Sequence, residues 1–138
     1  MKIQIALDKG AYLPTRAHDT DAGLDLYARE AQEIPAYGSA EFDTGVHIAI
    51  PRNYVGDVKS KSGLMMHFDI TTDGTIDCGY TGSVRVKLFN NCPIRRHIRR
   101  GQKIAQIVIK SIITPELEIV SQLESTERGD NGFGSTGE

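Results

Sequence analysis

Apolar and polar residues alternate with a period of two along most of this chain, the pattern of strands that bury one face. Lys2 to Leu7 alternates in this way and predicts a first strand, and Asp21 to Tyr27 predicts a short second one. Between them Ala11 to Thr20 is irregular and is broken by Pro14. Glu33 to Pro35 and Ser39 to Phe42 predict two more short strands around a turn at Ala36–Gly38. Val46 to Ile50 alternates cleanly and closes on Pro51-Arg-Asn. Tyr54 to Lys59 repeats the pattern, with a bulge expected at Gly56. The alternation stops at Lys61-Ser-Gly-Leu-Met-Met66, where Ser and Gly ahead of apolar residues predict one turn of helix. Free N–H groups at such a start would form an anion site, although an ordinary capped turn has the same composition.

Further on, Gly74 to Gly82 contains glycines at 74, 79 and 82 and predicts a tight hairpin. It leads into a strand, Ser83 to Phe89, with Val84, Val86 and Leu88 on one face and Arg85 and Lys87 on the other. Asp77 and Tyr80 thereby offer a carboxylate and a flat ring beside exposed main chain. A turn-capping aspartate and a half-buried tyrosine would fit the same residues. Arg95 to Arg100 is a dense basic run, expected as a solvated loop or edge strand. Gly101 to Ile109 begins with a turn and becomes a near-continuous apolar strand interrupted by Gln106. An unpartnered buried amide costs roughly 1–3 kcal/mol, so Gln106 is either a satisfied core amide or a ligand contact. Asp25, between Leu24 and Leu26, faces either water or a phosphate or metal. Pro115 precedes a last expected strand, Glu116 to Leu123.

Composition narrows the class. The 138 residues suit one domain, and 14 glycines without a long helical period point to an all-β fold. A net charge of −2 gives no electrostatic footprint for nucleic acid, and no apolar run is long enough for a membrane-spanning helix. Cys78 and Cys92 stand in no metal or redox spacing, and the histidines at 18, 47, 67 and 97 form no zinc pair. With a Met-Lys-Ile start that lacks an apolar leader run, the expected setting is a reducing cytoplasm. The expected organisation is a β domain over residues 1–123 and a glycine-rich arm over 124–138. Arg128-Gly-Asp-Asn-Gly-Phe-Gly-Ser-Thr-Gly137 cannot build core. It reads as a disordered end, or as a flap whose Arg and Phe suit a phosphorylated aromatic ligand.

Taken in order, five segments resemble the trimeric dUTP diphosphatase (dUTPase) family. They are Ala22-Gly-Leu-Asp-Leu-Tyr27, Lys61-Ser-Gly-Leu64, Gly74-Thr-Ile-Asp-Cys-Gly-Tyr-Thr-Gly82, Gly101-Gln-Lys-Ile-Ala-Gln106 and Arg128 to Gly137. Each is weak alone; together they span nearly the whole chain and are specific. The resemblance implies a jelly-roll-like β-barrel of the β-clip kind and a homotrimer with shared sites. It further implies cleavage of dUTP to dUMP and pyrophosphate with Mg²⁺, supplying dUMP for thymidylate synthesis. By the same resemblance Asp77 deprotonates the attacking water, Tyr80 lies under the deoxyribose, and main chain of Gly74, Thr75, Ile76, Asp77 and Arg85 reads uracil. Lys61, Ser62 and Gly63 meet the phosphates, and Gln106 sits near the α-phosphate. Asp25 faces the metal through water. Arg128, Ser135 and Thr136 grip the terminal phosphates while Phe133 closes over the base, and Gly134 is a further substrate contact.

Two residues depart from the family pattern: Lys61 replaces its usual Arg and Thr71, another candidate substrate contact, its usual Asn. Lysine keeps the charge and loses the two-pronged contact. A dCTP deaminase would share the fold but needs an acid–base glutamate, and none lies between Gly74 and Asn91. A binding protein on the same scaffold is the other class, with loops 11–20 and 91–100 available; no feature of their composition calls for a regulatory partner.

Overall fold

The computed structural model describes every residue except 135, 136 and 138. Its strands are β1 (Ile5–Leu7), β2 (Gly23–Tyr27), β3 (Gln32–Ile34), β4 (Ser39–Asp43), β5 (Val46–Ile48) and β6 (Tyr54–Ser60). A single helix among the described residues, α1 (Ser62–Phe68), separates these from β7 (Ile70–Thr71), β8 (Asp73–Ile76), β9 (Arg85–Asn90), β10 (Arg96–Ile98) and β11 (Lys103–Ser111). All pairings are antiparallel. The strands form sheets ordered β2-β11-β6-β8, β4-β9-β7, β1-β5 and β10-β3. Distant strands therefore pair while most consecutive ones do not, as a jelly roll requires.

Period-two patterning decides which side chains turn inward. Along β9 exposed Arg85, Lys87 and Phe89 alternate with buried Val86, Leu88 and Asn90. Val86 and Leu88 join Leu26, Phe42, Ile48, Val58, Ile104 and Ile107 in one core, each large apolar side chain stabilising by about 1.5–3 kcal/mol. The near-continuous apolar run in β11 follows from its position between β2 and β6. The basic run is indeed an edge element, β10 against β3, with Ile98 its buried anchor.

Four expectations are corrected. Gly56 makes no bulge: it pairs in regular register with Ile76 and Ile109. Its role is packing, since a Cβ there would lie 2.8 Å from Ile107 Cδ1. Gly74 to Phe89 is not a hairpin, because β8 pairs with β6 while β9 pairs with β4 and β7. Residues 77–84 instead cross from one sheet to another. The helix runs two turns rather than one, to a left-handed Asp69 at φ 53°. Finally, Glu116 to Leu123 forms no strand and is exposed throughout.

Candidate active site

The four-stranded sheet places Asp25 of β2 opposite Gln106 of β11, and Gln106 opposite Lys59 of β6. Asp25 is only 4% exposed. Its two oxygens are taken by two ammonium groups, Lys61 Nζ at 2.7 Å on Oδ1 and Lys103 Nζ at 2.7 Å on Oδ2. Lys103 is a site residue that sequence reasoning missed. The β11 register against β2 shifts between Lys103 and Ala105, and this bulge sets Lys103 opposite Tyr27, on the same face as Asp25. Burial pushes the Asp25 carboxyl up, but the hydrogen bonds and charges of Lys103 and Lys61 outweigh it and hold the group below the usual carboxylate range.

Gln106 is half-buried, and its Nε2 donates to the Ser60 carbonyl at 3.2 Å. Its Oε1 lies over Gly23, where any Cβ would come within 2.3 Å. Just past Ser60 the chain turns into α1. The Lys61 carbonyl accepts from Met65 N at 2.9 Å, and Ser62 and Gly63 stand exposed at the helix start. A Cβ at Gly63 would meet nothing within 4 Å, so the space beside that position is open. Asp25, Lys61, Gln106, Ser62 and Gly63 thus gather at one end of β6.

The second group of candidates lies elsewhere. β8 is the edge strand of its sheet, so one side of Gly74 to Ile76 carries N–H and C=O groups without a strand partner. Beyond it Tyr80 N donates to the Asp77 carbonyl at 3.2 Å, closing a turn with Gly79 at φ 89°. Asp77 and Tyr80 are both exposed. The Tyr80 hydroxyl donates to the Ser83 carbonyl at 2.9 Å, and its ring covers Gly82, where a Cβ would sit 2.4 Å from Tyr80 Oη. Arg85 opens β9 and pairs with Glu41 at 2.9 Å, while the Thr71 hydroxyl accepts from Asn91 Nδ2 at 3.2 Å. In the arm Arg128 Nε donates to the Asn131 carbonyl, Gly134 takes φ 94°, and Phe133 is fully exposed. Ser135 and Thr136 lie outside the described residues.

Thr71 lies near the first group, since its neighbour Thr72 is bonded to Ser60 Oγ at 2.9 Å, but within one chain Asp77 stands apart from Gln106. Gln106 is level with Lys59, whereas Asp77 follows Ile76, which pairs with Gly56 near the other end of β6. Strand rise of about 3.3 Å per residue and strand spacing of about 4.8 Å put Asp77 and Gln106 roughly 15 Å apart.

The dUTPase family model matches residues 9–137. The chain belongs to the dUTPase family. A deoxyuridine 5'-triphosphate nucleotidohydrolase of Gloeothece citriformis is 43% identical, over 99% of this chain and 97% of its own length. Among solved structures, the dUTPase of Staphylococcus bacteriophage 80alpha with dUPNHPP superposes with a TM-score of 0.92 at 32% identity, covering 99% of this chain and 98% of that one. A mutant dUTPase from phage phi11 of S. aureus, which carries a structural Mg(II) ion, gives a TM-score of 0.85 at 30% identity over 91% of this chain and 100% of its own.

Family membership raises the question of Mg²⁺. Among the described residues no three His, Cys, Asp or Glu side chains cluster to hold a metal ion. What this family member offers is one buried carboxylate, Asp25, level with an amide, Gln106. Because Lys61 and Lys103 already take both Asp25 oxygens, that set fits only a magnesium ion that keeps its waters and rides on substrate phosphates, with Asp25 reached through those waters.

Proposed function

We propose that the chain hydrolyses dUTP to dUMP and pyrophosphate at sites built from more than one copy of itself, with Asp77 activating the attacking water. One observation carries the shared site: Asp77 and Gln106 are both assigned to the α-phosphate, yet roughly 15 Å of sheet separates them in one chain. A second copy that brings its β8 and Asp77–Tyr80 turn to the Asp25–Gln106 end of the first closes that gap. The uncovered residues after β11 favour such an assembly, since Ile113, Leu117, Ile119 and Leu123 are each more than 85% exposed. A homotrimer is the assembly we assign, and in it the apolar segment lies against a neighbour.

Each residue then has a task. The open edge of β8 presents N–H and C=O groups in fixed order to the base. Uracil matches that order; cytosine does not, and unpaired buried polar groups reject the wrong ligand by roughly 10⁴-fold or more. Tyr80 fills the space a 2′-hydroxyl would need. Ser62 and Gly63 give main-chain N–H groups to phosphate, and Lys61 gives charge. Gln106 orients the water that Asp77 deprotonates. Asp25 holds Mg²⁺ through bound water, and the metal supplies charge neutralisation on the triphosphate. The arm places Phe133 over the base and Arg128, Gly134, Ser135 and Thr136 on the phosphates, excluding water during the reaction. No glutamate lies between Gly74 and Asn91 to support deamination.

Complementation tests the reading. Asp77→Asn and Lys61→Ala, each inactive alone, are unfolded together and refolded as a mixture, and pyrophosphate release from dUTP is followed. Sites shared between copies regain activity in the mixture, because some sites then receive both native residues. A mixture as inactive as its parents would overturn the shared site.

A further inference from the structure

One imidazole grips the loop that carries Asp77 and Tyr80. His47 of β5 has Nδ1 2.8 Å from the Thr81 carbonyl oxygen and Nε2 3.2 Å from Asp8 Oδ1. Both partners are acceptors, one a main-chain carbonyl and the other a carboxylate. A neutral imidazole has a single N–H, so it can satisfy one of them only and must turn a lone pair towards the other oxygen. The doubly protonated ring donates to both. Two acceptors on one ring favour the imidazolium.

The surroundings agree with that choice. Asp8, just after β1, is itself fixed by Asp8 N donating to the Gly45 carbonyl at 2.9 Å. Asp43 at the end of β4 adds negative charge near the ring. Two cations lie on this side: Arg29, whose Nη1 lies 3.2 Å from Asp8 Oδ2, the oxygen that His47 does not use, and Arg85, whose charge helps to lower the Asp43 carboxyl pKa. The Thr81 carbonyl raises the imidazole pKa, burial opposes it, and Asp8 and Asp43 add to the rise.

Thr81 directly follows Tyr80, and the residues around it are pinned to the same side. Tyr80 is tied to the Ser83 carbonyl, and Ser83 Oγ donates to Asp43 Oδ1 at 2.5 Å. Of these ties, only the one through His47 changes its donor count near neutral pH. We propose that the imidazolium of His47 is a positioning residue for substrate binding: by holding Thr81 it keeps Tyr80 and Asp77 in place, and the loop slackens when the ring loses its proton. The inference rests on the reading that the Asp77–Thr81 turn receives the nucleoside.

The experiment measures kcat and KM for dUTP between about pH 6 and 9 on the full chain, its His47→Gln variant and its Asp8→Asn variant. Glutamine can still donate to Thr81 but cannot titrate. In the unmodified chain KM rises about two- to fivefold as His47 deprotonates, the size expected for losing a partly exposed charged contact. His47→Gln lacks that pH-dependent rise and Asp8→Asn moves it to lower pH; any loss of kcat that accompanies the rise, through Asp77, is likewise absent from His47→Gln. Nuclear magnetic resonance of the imidazole carbons, without nucleotide, shows His47 titrating above the ordinary histidine range and falling in Asp8→Asn. A His47 that is neutral at about pH 6.5 would overturn the brace. The expected titration with identical KM profiles in the chain and His47→Gln would overturn its part in binding. Neither result touches the Asp77 assignment, which stands or falls on turnover by Asp77→Asn.

Discussion

Gly23 and Gln106 approach so closely across β2 and β11 that a methyl group on residue 23 would lie 2.3 Å from Gln106 Oε1 and 3.1 Å from its Cβ. The glycine is thus the floor on which the carboxamide rests while Nε2 reaches the Ser60 carbonyl. Gly23→Ala is expected to fold, at a cost of about 1–3 kcal/mol from overpacking. It should push the amide off its bond and lower kcat by roughly 10²-fold, as a displacement of about 1 Å in a catalytic group does. Thermal melts and steady-state kinetics read the two effects separately; unchanged kcat would mean that Gln106 need not sit where it does.

Asp25 makes the fold sensitive to acid. Its folded pKa lies below the unfolded value of about 3.9, so its contribution is fully present above that value and is lost as pH falls through the folded pKa. Asp25→Asn should cost about 1–3 kcal/mol at neutral pH. The figure stays below that for a fully buried pair, because Lys61 and Lys103 side chains are 27% and 41% exposed and can return to water. Urea unfolding of both proteins at about pH 7 and about pH 3 checks this: the gap must shrink in acid. A constant gap would place the effect in packing instead of charge.

Removing the carboxylate charge at Asp77 should separate binding from chemistry. The side chain is exposed and its turn is closed by main-chain bonds, so Asp77→Asn should leave the loop intact. Turnover is expected to fall by roughly 10²–10⁴-fold, the contribution of a general base. Calorimetry with a non-hydrolysable dUTP analogue should still show binding. Undiminished turnover would remove Asp77 as the base.

Ending the chain at Glu127 should spare the fold. Glu116 onwards forms no strand, and described residues 128–134 bury nothing in the core. The melting temperature of the shortened protein should match the parent, while activity drops severely for want of Arg128 and Phe133. Full activity after truncation would exclude the flap.

Much of the architecture was legible because it rests on local alternation. Val84, Val86 and Leu88 read as an inward face and are all buried. Asp25 and Gln106 stood out as polar intrusions in apolar strands, and the structure sets them level with each other. What failed was non-local. The glycines of 74–82 resemble a hairpin, but pairing partners are chosen by sheets, and β8 and β9 found theirs in different ones. Leu117 and Ile119 alternate as a strand should, yet at 92% and 99% exposure they have no cover within the chain. Lys103 carried no signal at all, since only a bulge in β11 aims it at Asp25.

The unpartnered margin of β8 has a second consequence. Main-chain groups that the proposed function gives to a base are equally available to any extended polypeptide, and an open sheet margin invites sticking between molecules. The Asp73–Lys59 ion pair and the sharp exit at Asp77–Tyr80 guard it. A bound nucleotide therefore shields the protein from self-association, and the molecule should be most prone to clump when starved of its ligand.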